Sequence, residues 1–409
     1  MSEKRTFTYH LIDRERAEVF INGQQRVAGK PGLPIEPFSS ENLQACGTLL
    51  FRTLFPPGSD LHDAYRQEMG KLGLSGEKLA FQLMFSEDLA AVLRPYDWEA
   101  IFDPYTERFL GRQNDTSFSR YLKLDRDPRP AVEPPLRMLI CLAAPVDAAH
   151  YKLDPIPGDL AQQIRDDLSQ KVDGSKIEFS VLEDFLTVDH LRDGIQADDH
   201  HGLILIGHGL TLIGGENEMV LQDEYGNARF VPDHRFAGIF QGEALPRLVC
   251  LMACNGARTF GEGYYAGLGP QLVRQGVDSV IAVNRPISTA FASDFLAYFF
   301  KNLAQSGHVD EAVNEARHRL YQNDRHGGDW TGLVLFNRLP GGKLMKEKEK
   351  HIPSQPGSHS LISNQLSENE IGKAEFNNDV SFNKGGGTAI ENKLKKNTIG
   401  NLTVNNKAR

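Results

Sequence analysis

Two side chains in this sequence have the types and the local setting for covalent chemistry. The apolar run Gly202–Gly207 (GLILIG) ends at His208-Gly209, and the run LPRLVCLMA (245–253) ends at Cys254-Asn255-Gly256. Each places a reactive group after a buried-strand pattern and beside small residues, although 46 positions separate the two in sequence. A thiol with a pKa near ~8.5 is mostly protonated at neutral pH, so a neighbouring imidazole is needed to raise the thiolate fraction or to complete proton transfer. Attack on an amide further needs donors for the oxyanion and a proton for the departing nitrogen. The backbone amides of Gly209 and Cys254 suit the first task and His208 the second. No carboxylate stands at a spacing that would make a third member, so the pattern is that of a dyad. The residues alone leave a blander reading open, since a strand-end Cys is often a small buried hydrophobe and a His before Gly often structural. Cys141 and Cys250 lie inside apolar runs and are read as core residues.

Such groups must be positioned by strands whose carboxyl ends meet, and the flanking sequence has the pattern for it. From Arg137 to Phe336, apolar runs alternate with amphipathic stretches. The runs MLICLAAPV (138–146), IEFSVLE (177–183), GLILIG, LPRLVCLMAC, DSVIAV (278–283) and TGLVLFN (331–337) read as strands. Helical spacing falls on 159–172, a short stretch from Thr187, the segment before Gly276, 288–305 and 309–322. MVLQDEYGNARFVP (219–232) reads as a β-hairpin about Tyr225-Gly226-Asn227. The expected fold class is α/β, a doubly wound, mainly parallel sheet with helices on both faces. PRPAVEPP (128–135) breaks the chain before it. Three regions follow: an α+β accessory region over 1–130, a core over 131–340, and a linker with an Asn-rich tail over 341–409.

At these residues the sequence resembles the caspase-like CHAT peptidases, relatives of separase and the caspases. Four features carry the resemblance, in order: Asp97-Trp98-Glu99 through Phe109-Leu110, His208-Gly209, Ala253-Cys254 with Gly276 through Val283, and Ala312 through Ala316-Arg317. They span roughly residues 90–337. The resemblance implies a caspase-like fold and a His208–Cys254 endopeptidase needing no cofactor or metal. It also implies a P1 pocket beside the end of the first core strand and the segment after the fifth, which here means Asp147 and Asn284. An acidic pocket base predicts Lys or Arg at P1 through charge-assisted pairing. Asp147 equally suits a structural turn or helix cap. The chain departs from the family pattern where Asp97 replaces a proline, where Asn255 follows the cysteine, and where Asn284-Arg285-Pro286 replaces a tryptophan. Family analogy points to a protein substrate in microbial defence or regulated cell death, for instance a pore-forming effector. The competing class is a non-catalytic signalling scaffold of the same fold that assembles through its tail.

Composition bounds the rest. With 45 Lys/Arg against 54 Asp/Glu the net charge is −9, which disfavours nucleic acid as a partner. The charge divides unevenly: residues 341–409 hold 11 basic and 7 acidic side chains (+4), leaving 34 and 47 (−13) for residues 1–340. Four cysteines, no apolar run of membrane-spanning length and a charged amino-terminal stretch fit a cytoplasmic protein that does not enter membranes. Asp199-His200-His201 precedes a strand rather than following one and is read as a solvated approach to it. In the tail, Ile371–Asn378 (IGKAEFNN) and Ile399–Asn406 (IGNLTVNN) share Ile-Gly-x-x-x-apolar-Asn-Asn at an offset of 28. Alternating apolar and Asn residues suit stacked β-arcs. The pair loosely resembles short C-terminal amyloid-signalling motifs, which implies an upstream sensor or an amyloid-type assembly partner acting through residues 363–409. A disordered tail is the alternative.

Overall fold

The computed structural model describes all residues except 1–3, 34–41, 76, 87–88, 90–95, 114, 198–199, 212–216, 243, 254–266, 324–328, 347–359, 368–369, 381–387, 396–397 and 409. The chain divides into two compact units, Met1–Lys348 and Glu349–Arg409.

In the first unit the amino-terminal strands are β1 (Arg5–Leu11), β2 (Ala17–Ile21), β3 (Gln24–Gly29) and β4 (Leu79–Phe85). Helices α1 (Leu43–Leu54) and α2 (Asp60–Ser75) lie between β3 and β4 in sequence. A two-residue pairing, β5 (Phe102–Asp103) with β6 (Arg108–Phe109), precedes β7 (Thr116–Tyr121). The core strands are β8 (Leu136–Leu142), β9 (Ile177–Val181), β10 (Gly202–Thr211), β11 (Asn217–Gln222), β12 (Ala228–Pro232), β13 (Leu248–Ala253), β14 (Ser279–Val283) and β15 (Leu333–Asn337). Between them run α3 (Leu160–Lys171), α4 (Val188–Gln196), α5 (Asp233–Ala237), α6 (Leu268–Gln275), α7 (Thr289–Ser306) and α8 (Val309–Gln322).

One sheet of 13 strands unites them, running β9-β8-β10-β13-β14-β15-β7-β4-β1-β2-β3, with the β11–β12 hairpin also held by β10. The five core strands from β9 to β14 are mutually parallel, as expected where helices make the crossovers. β14 and β15 pair antiparallel. The sheet then continues in parallel through β7, β4 and β1, so the accessory strands extend the core sheet rather than form a separate one.

Sequence explains the local choices. β8, β13 and β14 are continuous apolar runs because both of their faces are covered. α7 starts at Ser288, whose Oγ accepts from the Phe291 amide at 3.1 Å, and stops at Gly307, whose φ of 68° an L side chain rarely adopts. It buries Phe291, Phe295, Phe299 and Phe300 in the main apolar core. A second core under the amino-terminal strands is aromatic, with Phe7, Tyr9, Phe51, Phe55, Tyr65, Phe81 and Phe118 in contact. The run 138–146 yields a strand only to Leu142: Ala143 still bonds to the Ile206 carbonyl of β10, and Ala144–Val146 then turn to meet the hairpin.

In the second unit, β16 (Ser360–Ser367) pairs in parallel with β18 (Thr388–Lys395), and β17 (Glu370–Val380) with β19 (Thr398–Ala408). Every paired position is 28 residues apart, the offset of the sequence echo. Ile371 faces Ile399, Phe376 faces Val404, and Asn377 and Asn378 face Asn405 and Asn406. The second unit therefore contains two parallel strand pairs, both in the same 28-residue register.

Candidate active site

Register brings the two reactive segments together. In the parallel β10–β13 pair, Gly207 is the partner of Ala253. These residues immediately precede His208 and Cys254 in sequence, on strands that neighbour at about 4.8 Å. Gly207 fits because a Cβ there would stand 3.1 Å from the Ala143 methyl at the end of β8. His208 is buried, at 1% exposure. Cys254, with the Asn255-Gly256 that follows it, lies outside the described residues.

Sequence reading expected a turn at His208-Gly209. The strand instead continues to Thr211, because β11 supplies a fresh antiparallel partner, placing His208 opposite Val220 and Gly209 opposite Met219. His208 is thereby fixed in a ladder on its far side as well as by β13 before it, which restrains its backbone more than a turn would.

The two pocket candidates are on the same edge. Asp147 follows the end of β8, and its Oδ1 accepts the Ala228 amide of the hairpin at 2.7 Å. Asn284 follows β14. The β13–β14 register pairs Leu251 with Ala282, so its continuation sets Asn284 level with Ala253. Asn284 Nδ2 donates to Asp97 Oδ1 at 2.8 Å, and Arg285 Nη2 pairs with Asp97 Oδ2. Thr331 Oγ1 reaches the same oxygen at 3.4 Å. The Arg285 stem lies over Gly332, where a Cβ would stand 2.8 Å from its Cγ. Two departures from the family pattern, Asp97 and Asn284-Arg285, thus answer each other: a polar clamp stands where a proline and a tryptophan would otherwise be. Sequence reasoning noted both and had no signal that they touch, because 187 positions separate Asp97 from Asn284.

The remaining resemblance features are framework. Glu99 is fully buried and takes a bidentate pair from Arg120, Nε to Oε1 at 2.9 Å and Nη2 to Oε2 at 2.7 Å. Arg317 of α8, also buried, donates to the Leu333 carbonyl through Nη2 at 2.6 Å and to Asn314 Oδ1 at 3.1 Å. Burial pulls its guanidinium down to about 10, with Glu99 opposing that shift and Arg120 reinforcing it. Asn314 donates to the Thr116 and Leu110 carbonyls and accepts from the Phe118 amide. These contacts bind the Trp98-Glu99 segment and α8 to β7 of the sheet.

Cys141 and Cys250 are wholly buried in β8 and β13, and burial raises both thiols, Cys141 to about 12. The thiolate is the nucleophile, so neither can react at neutral pH. Native protein treated with iodoacetamide is expected to leave both unmodified, whereas denatured protein is alkylated at both. Peptide mass mapping checks this, and native alkylation of either would contradict the burial argument. His201, at the opposite end of β10, accepts the Arg137 amide on Nδ1 at 3.0 Å, and His200 Nε2 is 2.8 Å from Ser180 Oγ. His201 thus ties the approach to β10 to β8, and His200 ties it to β9. A polar cavity of about 110 Å³ lined by Lys4, Lys78, Ser117 and Glu311 involves none of the strand-end residues.

The sheet is mainly parallel α/β, and β10 carries a buried histidine one residue past the point where Gly207 meets Ala253 of β13. The CHAT domain profile matches residues 44–338, and the chain belongs to the CHAT domain family. Its mainly parallel sheet is the caspase-like architecture which that membership implies. Among solved structures, the Saccharomyces cerevisiae separase–securin complex is similar over 68% of this chain, at 12% identity and a TM-score of 0.38. The match spans only 17% of the separase chain's length. The Arg-specific cysteine proteinase gingipain R is similar over 72% of this chain and 71% of its own, at 10% identity and a TM-score of 0.42. No curated protein sequence matches the chain significantly.

Proposed function

We propose that the protein is a caspase-like cysteine endopeptidase using a His208–Cys254 dyad. The observation that carries this reading is the register pairing of Gly207 with Ala253, since chain continuity holds the next residue's Cα within about 3.8 Å of each. Cys254 Sγ, as thiolate, attacks the scissile carbonyl carbon, and the oxyanion is held by the Gly209 and Cys254 amides. The new S–C bond persists as the C–N bond breaks, with the proton on His208 passing to the leaving amine. Water then attacks the thioester, releasing the new carboxyl terminus and restoring the thiol. Asp147 and Asn284 flank the pocket, and the preference we propose is Lys or Arg at P1. A peptide library cleaved only after Leu, Met or Asp would overturn that preference.

The setting we propose is cytoplasmic, in microbial defence or regulated death, with a protein such as a pore-forming effector as substrate. Among the described residues no helix is long and apolar enough to cross a membrane. Comparing cleaved proteins in cells carrying wild type or Cys254→Ala tests the reading: new termini should appear only with wild type.

A second reading, assembly through the tail, is favoured by the uniform 28-residue register of its paired strands. Parallel arcs leave an edge that another chain of like pattern can extend. The partner we propose is an upstream sensor or an amyloid-type template. Deleting residues 360–409 is expected to abolish partner-triggered activation while sparing basal cleavage. Activation unchanged by the deletion would remove the tail from the account.

A further inference from the structure

Four of the seven exposed large hydrophobic side chains among the described residues belong to one assembly at the carboxyl edge of the sheet: Val146 (71% exposed), Tyr225 (73%), Phe185 (46%) and Tyr151 (42%). Three chain segments build it. The loop after β8 meets the hairpin where the Val146 amide donates to the Gly226 carbonyl at 3.0 Å, and again where Asp147 accepts the Ala228 amide. The loop after β9 joins through Gln222, whose Oε1 accepts the Leu186 amide at 3.1 Å while its Nε2 donates to the Ala144 carbonyl at 3.1 Å. Gly226 is the meeting point. Its φ of +82° forms the hairpin turn, and a Cβ there would stand 3.0 Å from the Phe185 ring.

This surface is stiff and continuous with the candidate site. Asp223 pins the turn by accepting the Tyr225 and Asn227 amides at 2.9 and 2.8 Å. Tyr151 stacks edge-on against Phe230, with ring centroids 4.9 Å apart. Beneath lies a small separate core of Ala148, Leu153 and Val220, and Val220 is the strand partner of His208. Exposed apolar side chains gathered on a well-bonded support mark a contact surface, because leaving them in water is costly and they stay exposed among the described residues. Acidic residues adjoin these rings along the chain: Glu183 and Asp184 precede Phe185 and Glu224 precedes Tyr225, all three exposed.

We propose that Val146, Phe185 and Tyr225, seated around Gly226 and rimmed by Glu183, Asp184 and Glu224, form a shelf that takes a segment of the protein substrate bearing apolar side chains next to Lys or Arg. This rests on the peptidase reading for calling the occupant a substrate. The apolar side chains cover the exposed rings and the basic ones meet the acidic rim, at a distance from the scissile bond set by the hairpin rather than by the P1 pocket.

Binding to full-length Cys254→Ala protein tests the shelf without needing turnover. Immobilised protein is incubated with a randomised 12-residue peptide library, and the retained peptides are sequenced. The expected result is enrichment of aromatic or aliphatic residues beside Lys or Arg, falling at least about tenfold when Phe185→Ser and Tyr225→Ser are added. A second variant carrying Glu183→Lys and Glu224→Lys, both surface changes, should lose the basic preference and keep the apolar one. No enrichment, or enrichment indifferent to both variants, overturns the shelf. Retention by the shelf together with no Cys254-dependent cleavage of any cellular protein by the wild type would instead contradict the peptidase reading.

Discussion

Replacing Cys254 by alanine is expected to end cleavage of every peptide and protein substrate, a loss on the order of 10⁴-fold or more, because no other thiol can take over. Cys141 and Cys250 are buried with raised pKa values, and Cys46 lies in α1, the helix that packs on the amino-terminal aromatic core. His208→Ala should fall nearly as far, since the leaving amine then lacks its proton donor. The double variant should be little worse than either single one, as is usual where two residues act as a unit. Single-turnover kinetics on one peptide substrate, with thermal melts as a folding control, check all three. Residual activity above about one per cent in Cys254→Ala would place the nucleophile elsewhere.

The second large effect is on stability and falls far from the chemistry. Glu99→Gln leaves the Arg120 guanidinium without its carboxylate, beside a second buried guanidinium at Arg317. Stranding a buried charge costs about 3–5 kcal/mol. Replacing both partners of the pair, Glu99→Leu with Arg120→Met, should cost less than Glu99→Gln alone, because two apolar groups need no partner. Urea midpoints for the two variants decide it. A Glu99→Gln protein as stable as wild type would show that the buried pair does not hold the accessory strands to the core.

These two effects sort the four sequence features by kind. His208-Gly209 lies where β10 passes from its β13 pairing to its β11 pairing, and Ala253 ends β13; the apolar runs before both marked these strands directly. Trp98-Glu99 and the Arg317 helix look equally distinctive in sequence, yet both are tied to β7 in the interior. Their distinctiveness comes from the need to satisfy a buried guanidinium, and spacing along the chain carries no mark of that difference. The parallel core from β8 to β14 was legible because strands covered on both faces are uniformly apolar and their crossover helices are amphipathic. The hairpin was legible from Tyr225-Gly226-Asn227. The tail register was legible as well, since stacking like on like writes the offset of 28 into the sequence.

Other features depend on contacts between distant positions. The continuation of the sheet from β15 into β7 rests on a two-position pairing, Phe336 with Arg120 and Asn337 with Tyr121. The extension of β10 past His208 depends on a hairpin partner that begins six residues after Thr211. The Asp97 clamp joins a segment before β7 to the end of β14. In each case the residues have ordinary local preferences, and the decision is made by which strand arrives alongside.

The central claim, that His208 activates Cys254 for acyl transfer, is tested most directly by labelling. Wild-type protein is treated with an electrophilic peptide probe ending in Arg, and the modified residue and its rate are read by mass spectrometry. The account predicts one label per chain, on Cys254, absent in Cys254→Ala and slowed at least about tenfold in His208→Ala at neutral pH, with much of the deficit recovered as the pH rises past the ordinary thiol pKa near ~8.5. Labelling on another cysteine, or on Cys254 at a rate indifferent to His208, would contradict it.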